Sequence, residues 1–125
     1  MRVVDTSAWI EWLMDNPVAE AIAPALPRRD NWIVPTIVQH ELAKWVGREV
    51  GAEKADEVIG LTQKCIVAPL TTEIALAAAD VVRDHKLPTP DAIIYATART
   101  HDADILTCDA HFKGLPNVTY IEKRK

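Results

Sequence analysis

Short apolar runs alternate along this chain with longer segments whose apolar residues recur at helical spacing, and that alternation predicts its elements. Val3-Val4 reads as a strand ending at Asp5, and Thr6 or Ser7 is placed to cap a helix from Ala8 to Met14. Pro17 opens a second helical piece, which Pro24, Pro27 and the polar stretch Arg28 to Asn31 break. Trp32-Ile33-Val34 is a second strand closed by Pro35, and Thr36 caps a third helix running to about Val50. Gly51 punctuates, Glu53 to Lys64 is a fourth helix, and Cys65 to Ala68 is a third strand. Thr71 or Thr72 opens a fifth helix ending near His85, and Leu87-Pro88-Thr89-Pro90 is a rigid loop before a sixth helix from Asp91 to about His101. Asp104 to Thr107 and Val118 to Ile121 are the last two strands. Short strands without internal polar alternation, interleaved with helices, mean a parallel sheet covered on both faces, hence the α/β class. No repeat, linker or low-complexity stretch divides the chain, so residues 1–125 read as one domain.

Composition fits that picture: 49% hydrophobic and 26% charged residues belong to a globular chain, far from disorder. No apolar run approaches the ~20 residues that span a bilayer. Met1-Arg2-Val3-Val4-Asp5 places an acid where a signal peptide carries its apolar stretch, so a cytoplasmic protein is expected. The two cysteines, Cys65 and Cys108, suggest buried thiols in a reducing compartment and not a disulfide framework. A net charge of -4 excludes a protein that coats nucleic acid by charge alone. It leaves room for an enzyme with a basic rim, drawn from Lys44 and Arg48, Arg83 and Lys86, Arg28 and Arg29, or the tail Lys123-Arg124-Lys125.

Four acids fall in places that pattern makes unusual. In open α/β sheets ligands bind beyond the carboxyl ends of the strands. Asp5 ends the first strand and Asp109 follows the fourth, so both point to one edge of the sheet. On a helical wheel Glu41 falls in the apolar arc of Ile37, Val38, Leu42 and Trp45, while Gln39, His40 and Ala43 lie outside it. An acid on a buried stripe must be paired or meet a cation. Asp91 opens a helix that is apolar nearly all round, Asp91-Ala92-Ile93-Ile94-Tyr95-Ala96-Thr97-Ala98, and is drawn inward with it. Each acid taken alone has a plainer reading. Asp5 can serve as an N-cap, Asp91 suits the helix dipole, Asp109 can start a turn and Glu41 can reach water from an edge. Taken together they form a hard-oxygen set that suits Mg²⁺ or Mn²⁺ better than zinc. Thr6, Ser7 and Thr107 carry hydroxyls near them that can orient a carboxylate or a water.

Other chemistries score poorly. His40-Glu41 begins a zinc-helix pattern, but Lys44 and Trp45 stand where its second His belongs. His85, His101 and His111 have no partner at ligand spacing and read as surface or loop residues, and Asp102 and Asp104 read as solvated acids at the wrong end of the sheet. With only four glycines there is no phosphate loop, dinucleotide fingerprint or nucleophile elbow. A phosphoacceptor receiver domain needs an Asp ending its third strand, where this chain has Val67-Ala68-Pro69-Leu70. Trp9 and Trp12 share a helix face and read as core or as interface anchors, and Trp45 reads as core. Tyr95 and Arg99, on nearly the same face as Asp91, can reach the site's rim or a partner.

These acids in their local contexts resemble the PIN-domain nucleases. Val3-Val4-Asp5-Thr6-Ser7-Ala8 is similar to that family's opening, and Val38-Gln39-His40-Glu41-Leu42 to the segment of its second acid. Pro90-Asp91-Ala92-Ile93-Ile94-Tyr95-Ala96-Thr97-Ala98 resembles the third, and Leu106-Thr107-Cys108-Asp109-Ala110-His111-Phe112 the fourth, with Cys108 departing from the small or polar residue common there. The length is similar to that of VapC toxins of type II toxin–antitoxin modules. The resemblance implies a three-layer α/β/α sandwich around a mainly parallel five-stranded sheet, and metal-dependent endoribonuclease activity. It further implies a homodimer, inhibition by a cognate VapB-type antitoxin, and contact with promoter DNA only through that antitoxin. On the residues themselves, Asp5, Glu41 and Asp91 would take a first Mg²⁺, and Asp109 would complete the cluster or hold a second ion. The rival reading is a non-catalytic PIN-like module that binds RNA or protein, which has no need of four intact acids.

Overall fold

The computed structural model describes residues 1–123, so Arg124 and Lys125 of the basic tail lie outside the described residues. Five strands, β1 (Arg2–Val4), β2 (Trp32–Pro35), β3 (Ile66–Ala68), β4 (Asp104–Thr107) and β5 (Val118–Tyr120), form one sheet in the order β3-β2-β1-β4-β5. Every pairing is parallel, with Val3 beside Ile33 on one side and Ile105 on the other. Val3, Val4, Ile33, Val34 and Leu106 have no exposed surface. That is why the central strands carry adjacent apolar residues at these positions: a parallel sheet buries both faces.

The helices are α1 (Thr6–Leu13), α2 (Ala19–Ile22), α3 (Thr36–Glu49), α4 (Ala52–Thr62), α5 (Thr72–His85) and α6 (Thr89–Thr100). The chain winds from β1 to β2 to β3 in one direction, then returns across the sheet to β4. Right-handed crossovers place the helices before and after that reversal on opposite faces, giving an α/β/α sandwich. α3 packs on α4, and α5 on α6. Gly51, at φ 138°, makes the turn between α3 and α4 that a side chain rarely permits.

Several local expectations change. α6 begins at Thr89, because Pro90 is tolerated in a first turn, so Asp91 lies within that turn. Thr71 caps α5 as read, its hydroxyl accepting the Ile74 N–H at 3.2 Å. Thr36 does not cap α3; its hydroxyl accepts the Leu70 N–H after β3 instead. On α3 the fully buried stripe is Val38, Leu42 and Val46, with Ile37, Glu41 and Trp45 half-buried along its margin. Asp104 is not a free solvated acid, since Arg2 grips it with two hydrogen bonds of 2.9 and 2.8 Å across β1 and β4. Cys108 is buried, but Cys65 is only partly so, and neither is in a disulfide.

Trp9 settles inside the core. Its ring lies 4.7 Å from Trp32 and 6.0 Å from Trp12, and it has no exposed surface. Trp12 is half-buried beside it. Trp9 is therefore unable to anchor a partner. Two substitutions should separate these contributions in urea unfolding at unchanged m-value. Thr71→Ala should cost about 1 kcal/mol through the lost cap. Trp9→Ala should cost roughly 3–5 kcal/mol through lost burial and a cavity.

Candidate active site

The reversal of winding creates a switch point between β1 and β4, where open α/β sheets leave a crevice at the carboxyl ends of the strands. The Asp5 N–H donates to the Leu106 carbonyl at 2.9 Å, which extends the β1–β4 ladder to the last residue before α1. This bond holds the Asp5 side chain beside Thr107 and the loop after β4.

Asp5 is 3% exposed. Its Oδ2 accepts from Ser7 Oγ at 2.6 Å and from Thr107 Oγ1 at 2.8 Å. Each hydroxyl in turn accepts a backbone N–H: Ser7 from Cys108 at 3.0 Å, Thr107 from Asp109 at 2.9 Å. A hydroxyl has one hydrogen, and both are directed at Asp5. The 3.2 Å approach of Ser7 Oγ to Thr107 Oγ1 is then a contact between acceptors already committed elsewhere. Thr6 faces the other way and donates to Glu41 Oε1 at 2.6 Å. Neither Thr6 nor Ser7 caps α1; both hydroxyls serve carboxylates instead.

Asp91 arrives from the first turn of α6, and Asp109 from the loop after β4. Asp109 also begins a short 3₁₀ turn, Ala110–Phe112, its Oδ1 accepting the His111 N–H at 2.9 Å. That turn carries the His111 ring back over the acids. Nδ1 lies 2.9 Å from Asp91 Oδ2 and 3.1 Å from Asp109 Oδ1. Ligand atoms of Asp91, Asp109 and His111 all lie within 4.8 Å of one another. His111 is thus no isolated loop residue. The signal in the sequence was its place two residues after Asp109, a spacing that a tight turn folds back on itself.

Two other residues fall away from the site. Tyr95 is buried and donates its hydroxyl to the Pro116 carbonyl at 3.0 Å, and the Arg99 guanidinium stacks over its ring. Arg99 lines a recess with Met1, Asp102 and Asn117 at the amino ends of the strands, the edge opposite the acids. Helix α6 spans the sheet, so its two ends face opposite edges.

The electrostatics record the crowding. Burial pushes the Asp5 carboxyl up, against the two hydroxyl bonds, and the charges of Asp109 and Glu41 push it further. Asp91 is raised to about 6, first by burial, then by the charges of Asp109 and Asp5, with His111 opposing. The Asp109 charge is the largest influence raising His111. Buried carboxylates that raise each other's proton affinity suit a cation, and this donor set of carboxylate oxygens and one imidazole nitrogen fits a divalent one.

The PIN domain family model matches residues 2–118. The chain belongs to the PIN domain family. Among solved structures, this PIN domain is similar to a chain of a toxin–antitoxin complex from Klebsiella pneumoniae, at 22% identity and a TM-score of 0.84, covering 98% of this chain and 99% of that one. It is similar to VapC20 of Mycobacterium tuberculosis, described as a sarcin-ricin loop cleaving toxin, at 18% identity and a TM-score of 0.76 over the full length of both. It is also similar to a chain of VapBC2 from Rickettsia felis bound to a DNA fragment from their promoter, at 13% identity and a TM-score of 0.72, covering 97% of each. No curated protein matches the chain. No helix among the described residues is long and apolar enough to cross a membrane.

A pH experiment tests the crowding in this PIN domain. Asp91 titrates at about 6 in the fold against 3.8 outside it, so the folded state binds its proton more tightly than the unfolded one. Ionised Asp91 therefore destabilises the cation-free protein, an effect absent below the lower value and complete above the upper one. The raised His111 acts in the same direction, stabilising at low pH and losing that contribution as pH rises. Measured in chelator, Asp91→Asn should melt above wild type at about pH 7.5, by on the order of 2 kcal/mol, and the gap should close toward about pH 4.

Proposed function

We propose that this PIN domain is a metal-dependent endoribonuclease and the toxin of a VapBC-type module. The observation that carries the reading is the gathering of acids around Asp5 at one sheet edge, where Glu41 and Asp109 act on Asp5, and Asp5 and Asp109 act on Asp91. The four would hold Mg²⁺ or Mn²⁺, with His111 as an additional donor. The bound ion supplies the positive charge an anionic phosphodiester needs at this edge, polarises a phosphoryl oxygen and acidifies water.

The chain's own groups have separable tasks. Ser7 and Thr107 hold Asp5 through Oδ2 and leave Oδ1, to which no hydrogen bond runs among the described residues, to serve a cation. Thr6 does the same for Glu41 through Oε1. Asp91 and Asp109 close the cluster from the other side, and His111 offsets part of their charge until a cation enters.

The similarity to chains from toxin–antitoxin complexes supports an antitoxin partner. A basic segment of that VapB-type antitoxin would neutralise the cluster, and Arg is suited because its planar fork meets carboxylates bidentately. We place its guanidinium near Asp5, Asp91 and Asp109. The toxin is proposed as a cytoplasmic homodimer that touches promoter DNA only through the antitoxin.

Purified protein should cleave RNA with Mg²⁺ or Mn²⁺ and stop with EDTA; undiminished cleavage in excess chelator refutes the metal reading. Thr107→Val should lower the rate about 10–100-fold by loosening Asp5, and Asp5→Asn, Glu41→Gln or Asp91→Asn should lower it further with the fold retained by circular dichroism. Expression alone should arrest bacterial growth. Asp91→Asn should relieve the arrest, and equal arrest by both forms would overturn the toxin reading.

A further inference from the structure

A second feature adjoins the carboxylates. Glu41, Lys44, Trp45 and Arg48 stand at positions i, i+3, i+4 and i+7 of α3, so they share one face. With Thr6 and Ile10 of α1 they line a cleft of about 240 Å³. One part of its lining is Glu41, held by Thr6; Ile10 and Trp45, both half-buried against the core, supply its apolar wall. Lys44 is exposed and forms no ion pair among the described residues. Among the described residues the only ion pair of Arg48 is with Glu49, at 3.4 Å between two well-exposed side chains, a contact too solvated to hold it. A protein of net charge -4 thus sets two available cations and an aromatic ring in one groove beside an acid of its site.

We infer that this cleft positions the single-stranded ribonucleotide segment next to the scissile phosphate, with a base against Trp45 and backbone phosphates on Lys44 and Arg48. The inference rests on the nuclease reading above and deepens it. Aromatic faces accept any unpaired base, and cations at successive turns track a phosphate backbone. A base held in a duplex has no free face for Trp45, so the cleft selects single strands. A peptide carrying Arg toward the carboxylates meets Lys44 and Arg48 as like charges, which disfavours that occupant here.

The test compares cleavage of a single-stranded oligoribonucleotide and of its duplex by wild type, Trp45→Leu, Trp45→Phe and the double variant Lys44→Gln/Arg48→Gln. Trp45→Leu should raise KM for the single strand by about five- to a hundredfold with a smaller change in kcat, and Trp45→Phe should recover most of it. The double variant should flatten the dependence of log affinity on log salt by roughly 0.7 per cation removed. That salt slope is read by fluorescence anisotropy of the labelled single strand on an Asp91→Asn background. Both of its positions are exposed, so it carries the test if Trp45→Leu does not fold. Unchanged KM and salt slope in variants of a cleaving enzyme overturn the cleft's role. Equal losses on single strand and duplex overturn the stacking, as does loss of a protein partner with RNA binding intact. A wild type that cleaves no RNA sinks the nuclease reading instead, and the anisotropy series still decides the cleft.

Discussion

The buried Asp5 carboxylate organises this molecule's functional edge. A carboxyl group at 3% exposure is costly to ionise unless donors meet it. Here the donors are Ser7 and Thr107, each polarised by a backbone N–H of the loop after β4. The result ties the start of α1 to the end of β4 across the switch point. Any disturbance of that loop reaches Asp5 through two hydroxyls, and any movement of Asp5 leaves those two hydroxyl donors without their acceptor. The path of residues 107–109, from which Asp109 and His111 project, is thereby tied to β1.

Around this anchor the site is built at the expense of charge balance. Asp91, Asp109 and Glu41 approach Asp5 closely enough to raise proton affinities, and His111 compensates only in part. A fold selected for stability alone would not gather these groups. Strain of this kind is retained where binding a cation repays it, which is the physical basis for proposing a divalent ion and a regulator's cationic side chain at this edge.

The similar solved structures share the fold at 13–22% identity. The physical reason is visible in the core. Val3, Val4, Ile33, Val34 and Leu106 need only be apolar and of suitable volume to fill a doubly covered sheet, so many sequences satisfy the same architecture. Lys44 and Arg48, both exposed on α3, are under no such packing rule, and in the proposed cleft members with one fold would be free to differ.

The sequence alone determined the elements and the edge. Strands buried on both faces are apolar runs, helices carry a stripe, and alternation of the two permits few topologies, so the parallel sheet and the outlook of Asp5 and Asp109 were legible without coordinates. Glu41 and Asp91 were legible because an acid beside an apolar stripe breaks the pattern. Tertiary structure decided what depends on contacts between distant residues. Pairing of β1 with β4 brought Arg2 to Asp104 and Thr107 to Asp5. The Trp32 ring took Trp9 into the core, and the length of α6 carried Arg99 to the far edge. The Ala110–Phe112 turn returned His111 to Asp91, and α1 against α3 made a cleft of Trp45. Periodicity reports which side of an element faces inward; it carries no information about which element lies there, and hydrogen-bond partners a hundred residues apart are set by that alone.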